Sequence, residues 1–176
     1  GQIWGIAVAP SSPQTIYAAS NSTGMWKSTN SGANWVQINT GLSNLILQCV
    51  AVSPTNANVV MCGSTNTGTN PGVYRSSDGG SNWTRVVTGI TETNINIQAL
   101  AIDPVNPNTA YCTLFDGTTN SPNGLYKTTN GGTLWVPITT GIGTIKNFLA
   151  VAVNPLNANV VYAGTSFDPL TSTGPS

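Results

Sequence analysis

Short runs of apolar residues recur along the chain, and turns rich in proline, glycine, asparagine and serine separate them. The run from Val50 to Ser53 is nearly all apolar, which is typical of a strand covered on both faces. A Pro-Thr-Asn-Ala-Asn turn follows it, and then come three further short runs, at 59–63, at 72–76 and from 83 to about 87. Gly, Asn and Thr disfavour helix almost everywhere. The pattern therefore predicts units of four short strands.

This four-strand unit is repeated along the chain. Its first half reads IAVAPSSPQTIYAAS, VAVSPTNANVVMCGS, LAIDPVNPNTAYCTL and VAVNPLNANVVYAGT, with prolines at 10, 54, 104 and 155 that lie 44, 50 and 51 residues apart. Its second half begins with GMWKS, GVYRS or GLYKT and continues into STNSGANW, SSDGGSNW or TTNGGTLW. Four strands repeated every 40 to 50 residues or so are typical of a β-propeller blade.

The repeats predict an all-β fold of about three and a half propeller blades. The predicted blades span 2–41, 46–89 and 97–141, and the predicted half-blade spans 148–165. Residues 166–176 are low in complexity and are predicted to form a loop or linker tail. The fourth unit lacks the second half of the repeat, so it leaves a bare strand edge that needs a cover.

The repeated S/T-x-[DN]-x-G-x-x-W is the Asp-box motif. Together with DPVNPNTAY and GLYKTTNGG it resembles the Asp-box (BNR-repeat) β-propellers, which include sialidases, xyloglucanase-type glycoside hydrolases, sortilin and photosystem assembly factors. The resemblance covers almost the whole chain. It implies that each Asp box is a hairpin turn between the third and fourth strands of a blade, away from the active face. It does not specify a function, because folds and sites are separable.

We expect the Asp boxes to be structural. The Asp or Asn side chain can accept backbone N–H groups in the turn, the glycine permits a positive φ, and the tryptophan can fill the space between blades. Two of the three copies carry asparagine, which is no carboxylate catalyst. These residues are Asn30, Gly32 and Trp35, then Asp78, Gly80 and Trp83, then Asn130, Gly132 and Trp135.

Composition excludes several classes of function. Charged residues make up only 6% of the chain and the formal net charge is zero, which argues against a nucleic-acid partner. No apolar run is long enough for membrane insertion. There is no histidine, so Ser-His-Asp and Cys-His catalysis are excluded, and neither a metal site nor a cofactor is expected. The surface of hydroxyls and amides suits a secreted or extracellular protein.

The three cysteines lack the CxxC spacing of a zinc site. Cys62 and Cys112 occupy positions where other repeats have alanine, so small buried residues are the simplest interpretation. A disulfide between Cys49 and Cys62 depends on the strand register, which the sequence leaves open.

The loops that differ most between repeats carry the candidate ligand-binding residues. Glu92 and Asp116 are the acids there, and glycoside hydrolysis needs two carboxylates about 5–10 Å apart. The alternative is that both are solvated loop acids. Trp4 and Phe115 are candidates to stack on a sugar ring beside Asp116. Asn21 begins an Asn-Ser-Thr glycosylation pattern.

These observations favour a non-enzymatic, extracellular structural or interaction module. Sialidases of the family hold their substrate with three arginines, and this chain has two, so a complete sialidase site is excluded. The incomplete fourth blade suggests a homo-oligomer or filament, or completion by a longer parent chain. The alternatives are a fragment of a xyloglucanase-type glycoside hydrolase, with Glu92 and Asp116 as the acid pair, and a lectin-like glycan binder.

Overall fold

The computed structural model describes residues 1–92, 94–115, 124–142 and 147–165 of the chain. Within these ranges the molecule contains β-strands and no helix, which confirms the all-β class predicted from the repeats. No described helix is therefore long and apolar enough to cross a membrane.

The strands form four antiparallel sheets in chain order. The first sheet consists of β1 (Ile3–Val8), β2 (Ile16–Ser20), β3 (Gly24–Ser28) and β4 (Val36–Gln37). The second consists of β5 (Leu47–Val52), β6 (Val60–Ser64), β7 (Val73–Ser76) and β8 (Thr84–Arg85). The third consists of β9 (Ile97–Ile102), β10 (Ala110–Leu114), β11 (Leu125–Thr128) and β12 (Val136–Pro137). The fourth has only β13 (Phe148–Val153) and β14 (Val161–Thr165) among the described residues.

Two strands of the second sheet differ from the sequence prediction by more than one residue. In the second sheet the first strand begins at Leu47 rather than Val50, because a bulge between Leu47 and Cys49 lets the extra residues join the ladder with β6. The outer strand is shorter than predicted and keeps only two ladder residues. After it, the chain turns, with the Ile90 N–H donating to the Val87 carbonyl at 3.0 Å.

The first strand of each sheet packs against the first strand of the next, from β1 through β5 and β9 to β13. The second strands lie just outside them and carry the largest share of the core, including the fully buried Tyr17 and Met61. Two apolar clusters result, one between the first and second sheets and one between the second and third. The sheets therefore stack as propeller blades do, with the apolar faces between them.

Both ends of this stack expose apolar side chains. Ile3 on β1 is 52% exposed, whereas Leu47 and Ile97, at the equivalent positions of β5 and β9, are fully buried. At the other end Tyr162 on β14 is 61% exposed, whereas its equivalent Tyr17 is fully buried. Among the described residues no further sheet covers either face.

Candidate functional site

The second Asp box is a turn closed by its own side chains. The Asp78 carboxylate accepts the Ser76 hydroxyl at 2.8 Å, the Asn82 backbone N–H at 2.9 Å and the Asn82 amide at 2.8 Å. The Ser76 hydroxyl oxygen accepts the Gly80 N–H at 2.8 Å. The hydrogen bonds from Asn82, followed by that from Ser76, lower the pKa of Asp78 to about 2. The carboxylate is thus held ionised as a hydrogen-bond acceptor.

The asparagine boxes make the same turn without a carboxylate. Asn30 accepts the Asn34 N–H at 2.8 Å, and Asn130 accepts the Leu134 N–H at 2.9 Å. The following glycines have φ values of 90°, 90° and 87°, a region that a residue without Cβ enters freely. These glycines are Gly32, Gly80 and Gly132. An amide and a carboxylate are interchangeable in this geometry, so the position works as a turn and not as an acid.

The tryptophans of the second and third boxes reach back to the preceding sheet. The Trp83 indole Nε1–H donates to the Ile38 carbonyl at 2.7 Å, and the Trp83 backbone N–H donates to the Thr40 carbonyl at 2.9 Å. One blade later, the Trp135 indole and backbone N–H make the same two bonds to the carbonyls of Val86 and Thr88, at 2.9 and 2.8 Å. Trp83 is 4% exposed and Trp135 is 1% exposed. Each of these two boxes therefore attaches its blade to the one before.

A glycine receives each of these tryptophans. A Cβ placed on Gly41 would lie 2.2 Å from the Trp83 carbonyl oxygen, and one on Gly89 would lie 2.1 Å from that of Trp135. Both distances are shorter than any real contact, so only glycine permits the approach. We call the glycine and the carbonyls that contact the tryptophan the receiving site. A Thr-Gly-Leu or Thr-Gly-Ile follows each outer strand and marks this site in the sequence, but the repeat motifs described above do not include it.

The basic residue of the third strand also contacts the next blade. The Lys27 ammonium donates to the Gly79 carbonyl at 2.9 Å and lies over the Tyr17 ring, 5.4 Å from its centroid. Arg75 lies beside Gly131, because a Cβ there would be 3.3 Å from the Arg75 Nε. That Nε has no hydrogen-bond partner among the described residues, and the guanidinium donates from Nη2 to the Asn108 side-chain oxygen at 3.5 Å. Lys127 lies over the Tyr111 ring. Where the next blade has an Asp box, the basic residue of the third strand therefore lies at the contact between the two blades.

Trp35, the tryptophan of the first box, is not buried between blades. Its side chain is 37% exposed, and its indole N–H donates to the Gly32 carbonyl of its own turn at 3.0 Å. The reason is positional, because no described sheet precedes the first one and offers a carbonyl. The tryptophan of the first box therefore makes no contact with a preceding sheet among the described residues.

Glu92 is buried, so it is no solvated loop acid. It is 7% exposed, one carboxylate oxygen accepts the Tyr126 hydroxyl, and the other has no partner among the described residues. Burial and this hydrogen bond raise the pKa of Tyr126 to about 12. The second candidate acid, Asp116, lies outside the described residues, so their separation is not defined.

The remaining candidates lie on different sheets. Trp4 on β1 is 47% exposed, with its indole donating to the Gln2 side chain at 3.3 Å. Phe115 is half-buried after β10, two sheets away. The Asn21 side-chain oxygen accepts the Gln2 N–H at 3.0 Å in the first β2–β3 loop.

The three cysteines are free thiols. Cys62 opposes Val50 across β5 and β6, and Cys49 opposes Gly63, so the two side chains are not paired in register. Burial raises the pKa of the Cys49 thiol to about 12. Among the described residues no group of three or more Cys, Asp or Glu side chains is placed to hold a metal ion.

The fold is shared with solved propellers. The chain superposes on an ancestral GH74 enzyme with a TM-score of 0.74 and 28% identity, over 93% of this chain and 22% of that one. YCF48 from Cyanidioschyzon merolae gives a TM-score of 0.58 and 19% identity, over 78% of this chain and 37% of that one. A chain of a mitotic checkpoint complex gives 0.61 and 12%, over 94% and 46%. No protein-family model and no curated protein matches.

The chain thus spans 22% of the length of that GH74 enzyme and less than half of the other two. The likenesses at 12% and 19% identity establish the fold alone. With the stacked four-stranded sheets, they confirm the resemblance to propellers of this type. The chain therefore consists of β-propeller blades of the kind found in GH74 enzymes and YCF48.

Proposed function

We propose that this chain is a non-enzymatic, extracellular structural or interaction module built from propeller blades. Its fourth blade is completed by outer strands from a neighbouring copy, giving a homo-oligomer or filament, or from a longer parent chain. The observation that carries the proposal is that the fourth sheet has two strands in the part of the chain that the structure describes. Three residues at the end of β14, Ala163, Gly164 and Thr165, are exposed, whereas their equivalents in the first and second sheets are buried.

The surface chemistry supports close association. Charged side chains make up 6% of the residues and their charges cancel, so like-charge repulsion between copies is weak. Six of the thirteen exposed large apolar side chains in the described part of the chain lie at the two ends of the stack, four on β1 and one each on β13 and β14. Apolar patches of this kind on a blade face favour protein partners. The extracellular setting rests on the composition.

Sedimentation velocity across a range of protein concentrations tests the self-assembly version. We expect species heavier than one chain, with a mean mass that rises with concentration. A Tyr162→Asp variant, which puts a charge on the exposed fourth sheet, should shift the distribution towards monomer. A chain that stays a stable, folded monomer at every concentration would rule out self-assembly.

A second candidate is a part of a glycoside hydrolase, favoured by the 28% identity to an ancestral GH74 enzyme over 93% of this chain. In this version Glu92 and Asp116 are the acid pair, with the Glu92 carboxylate held in the protein interior beside Tyr126. Incubation with xyloglucan, other β-glucans and sialosides tests it. Turnover that Glu92→Gln and Asp116→Asn abolish, and that the matched Asp78→Asn retains, would replace the non-enzymatic proposal.

A glycan-binding role is favoured by one observation, the half-exposed indole of Trp4 on the uncovered β1. Aromatic faces of this kind can stack on sugar rings. This version predicts glycan affinity without turnover, which a glycan array measures, and loss of that affinity in Trp4→Ala. An array signal that Trp4→Ala leaves unchanged would argue against it.

A further inference from the structure

The contact that attaches one blade to the next has the same parts in both places where it occurs. An outer hairpin brings a tryptophan, and the preceding blade supplies two carbonyls, a close-approach glycine and a cation. In the first blade the receiving residues are Lys27, Ile38, Thr40 and Gly41. In the second blade they are Arg75, Val86, Thr88 and Gly89.

The third blade carries the same receiving site. Its residues are Lys127, Ile138, Thr140 and Gly141, in the same order and spacing along the repeat. Here no described atom lies within 4 Å of a Cβ placed on Gly141, whereas the equivalent Cβ on Gly41 or Gly89 would collide with a tryptophan carbonyl. The φ of Gly141 is +81°, close to the +91° and +90° of those two glycines. The receiving backbone is therefore already formed, and no described residue occupies the space that the tryptophan carbonyl takes in the other two blades.

A groove lies on the outer half of the third blade, and Ile138 of the receiving site is part of its lining. Seven residues of the third blade's outer half line it, with the apolar side chains of Leu134, Val136 and Ile138 beside the stem of Lys127. Lys127, Thr129, Asn130, Leu134, Val136, Pro137 and Ile138 form the complete lining. In the first blade the equivalent surface, around Ile38, is covered by Gly80 and Trp83 of the next box.

β14 holds in the fourth sheet the place that β2, β6 and β10 hold in theirs. β2, β6 and β10 each pair on both sides, with a first strand and a third strand, whereas β14 pairs only with β13 among the described residues. An unpaired strand edge offers a row of N–H and C=O groups to an added strand. A hairpin that extended the fourth sheet from β14 would bring its turn over the groove, as the outer hairpins of the second and third sheets do.

Resting on the proposed completion of the fourth blade, we propose that this surface is a docking site for an Asp-box β-hairpin supplied from outside the described fold. The added third strand pairs with β14. The box tryptophan donates its indole N–H to the Ile138 carbonyl and its backbone N–H to the Thr140 carbonyl. The ligand class is a peptide hairpin of the form S/T-x-[D/N]-x-G-x-x-W between two short strands.

The occupant brings only the two outer strands. β13 and β14 already fill the inner half of the fourth blade, so an intact four-stranded blade from a second copy would collide with them. The chain itself supplies a suitable probe, because its segment 72–90 is a complete outer hairpin that docks on the equivalent surface of the first blade.

The test is fluorescence anisotropy of a labelled 72–90 peptide titrated with the full chain. We expect saturable binding, weakened about tenfold or more when the peptide carries Trp83→Ala, since a buried aromatic anchor dominates such contacts. Hydrogen exchange should show new protection of the β14 amides, Val161–Thr165, on peptide binding.

Gly141→Ala is the informative variant of the chain. Its Cβ meets no described atom in the free chain but should collide with the incoming tryptophan carbonyl, so binding should fall about tenfold or more. Gly32→Ala is the matched control. It places a Cβ at a φ of +90° with no atom closer than 3.8 Å, in a blade that receives no peptide, and should bind as the unmodified chain does.

Absence of saturable binding, or equal binding of the Trp83→Ala peptide, would overturn the docking site. So would equal binding by Gly141→Ala. If the chain nevertheless forms oligomers that Gly141→Ala does not perturb, assembly proceeds through another surface. The structural or interaction module then stands as a self-assembling protein, while this inference and the completion of the fourth blade by a neighbouring copy fail. If the chain is monomeric and binds the peptide, the self-assembly version fails and the docking site stands.

Discussion

The indole of Trp83 donates to the carbonyl of Ile38 across the boundary between the second and first sheets, at 2.7 Å, although 45 residues separate them in the chain. Trp135 makes the same bond to Val86, 49 residues away. Trp35, the tryptophan of the first box, has no such partner among the described residues. It therefore serves as an internal control for the stability that this contact contributes.

Replacing these tryptophans should have unequal effects on stability. Trp83→Ala and Trp135→Ala remove a fully buried aromatic and leave a cavity, so the free energy of unfolding should fall by about 3–5 kcal/mol. Trp35→Ala removes a side chain that is 37% exposed, and it should cost about 1 kcal/mol or less. Urea denaturation followed by circular dichroism measures all three. Equal losses would contradict the docking role assigned to the buried pair.

The close-approach glycines give a second unequal pair. Gly41→Ala forces a Cβ to within 2.2 Å of the Trp83 carbonyl at a φ of +91°, so backbone strain adds to a collision and the loss should be about 3 kcal/mol. Gly141→Ala adds only the strain and should cost about 1 kcal/mol. The shift in the urea midpoint of each purified variant gives the comparison. A Gly141 variant as unstable as the Gly41 variant would mean that the third receiving site is filled.

The Asp78 turn predicts an acid-sensitive component of stability. Hydrogen bonds from Asn82 and Ser76 lower the pKa of Asp78 from 3.8 to about 2, so the unfolded chain binds more protons than the folded one in this range. The contribution is complete above about pH 4 and is lost as the pH falls through about 2. Urea midpoints measured from pH 5 down to pH 2 should fall in the unmodified chain. They should fall less in Asp78→Asn, because Asn30 and Asn130 show that an amide forms the same turn.

The buried Glu92 should depend on Tyr126. Tyr126→Phe removes the hydroxyl that donates to one carboxylate oxygen, while the other has no partner among the described residues, so an unsatisfied acid remains in the interior. We expect a loss of about 1–3 kcal/mol in the free energy of unfolding. Tyr162→Phe is the matched control, since that side chain is 61% exposed, and it should leave stability unchanged. Urea denaturation of both variants decides; equal stability of the two would show that the buried bond contributes nothing.

Local chemistry explains what the sequence predicted well. The Asp-box turn is closed between residues two and four positions apart, such as Ser76, Asp78 and Asn82, so the motif contains every partner it needs. The strands follow from apolar runs between turn residues, and the repeats follow from copying of that unit. The bounds of the first and fourth strands of the second sheet differ from the prediction, because a bulge extends the first strand and a turn shortens the fourth. The pattern of apolar residues does not show where bulges and turns occur.

The all-β class and the repeated four-strand units follow from the sequence, because strand patterning and turn chemistry act over a few residues. Which copy of a repeated residue is buried depends on the tertiary structure. Trp35 and Trp83 belong to the same motif, yet only Trp83 packs against a preceding sheet. On the other side of the contact, Gly41 lies against a tryptophan carbonyl, whereas Gly141 has no described atom beside it. Glu92 lies in a loop that varies between repeats, but it is buried and accepts a hydrogen bond from Tyr126, 34 residues away. Burial is a property of neighbours, and the neighbours of a blade lie about 50 residues away along the chain.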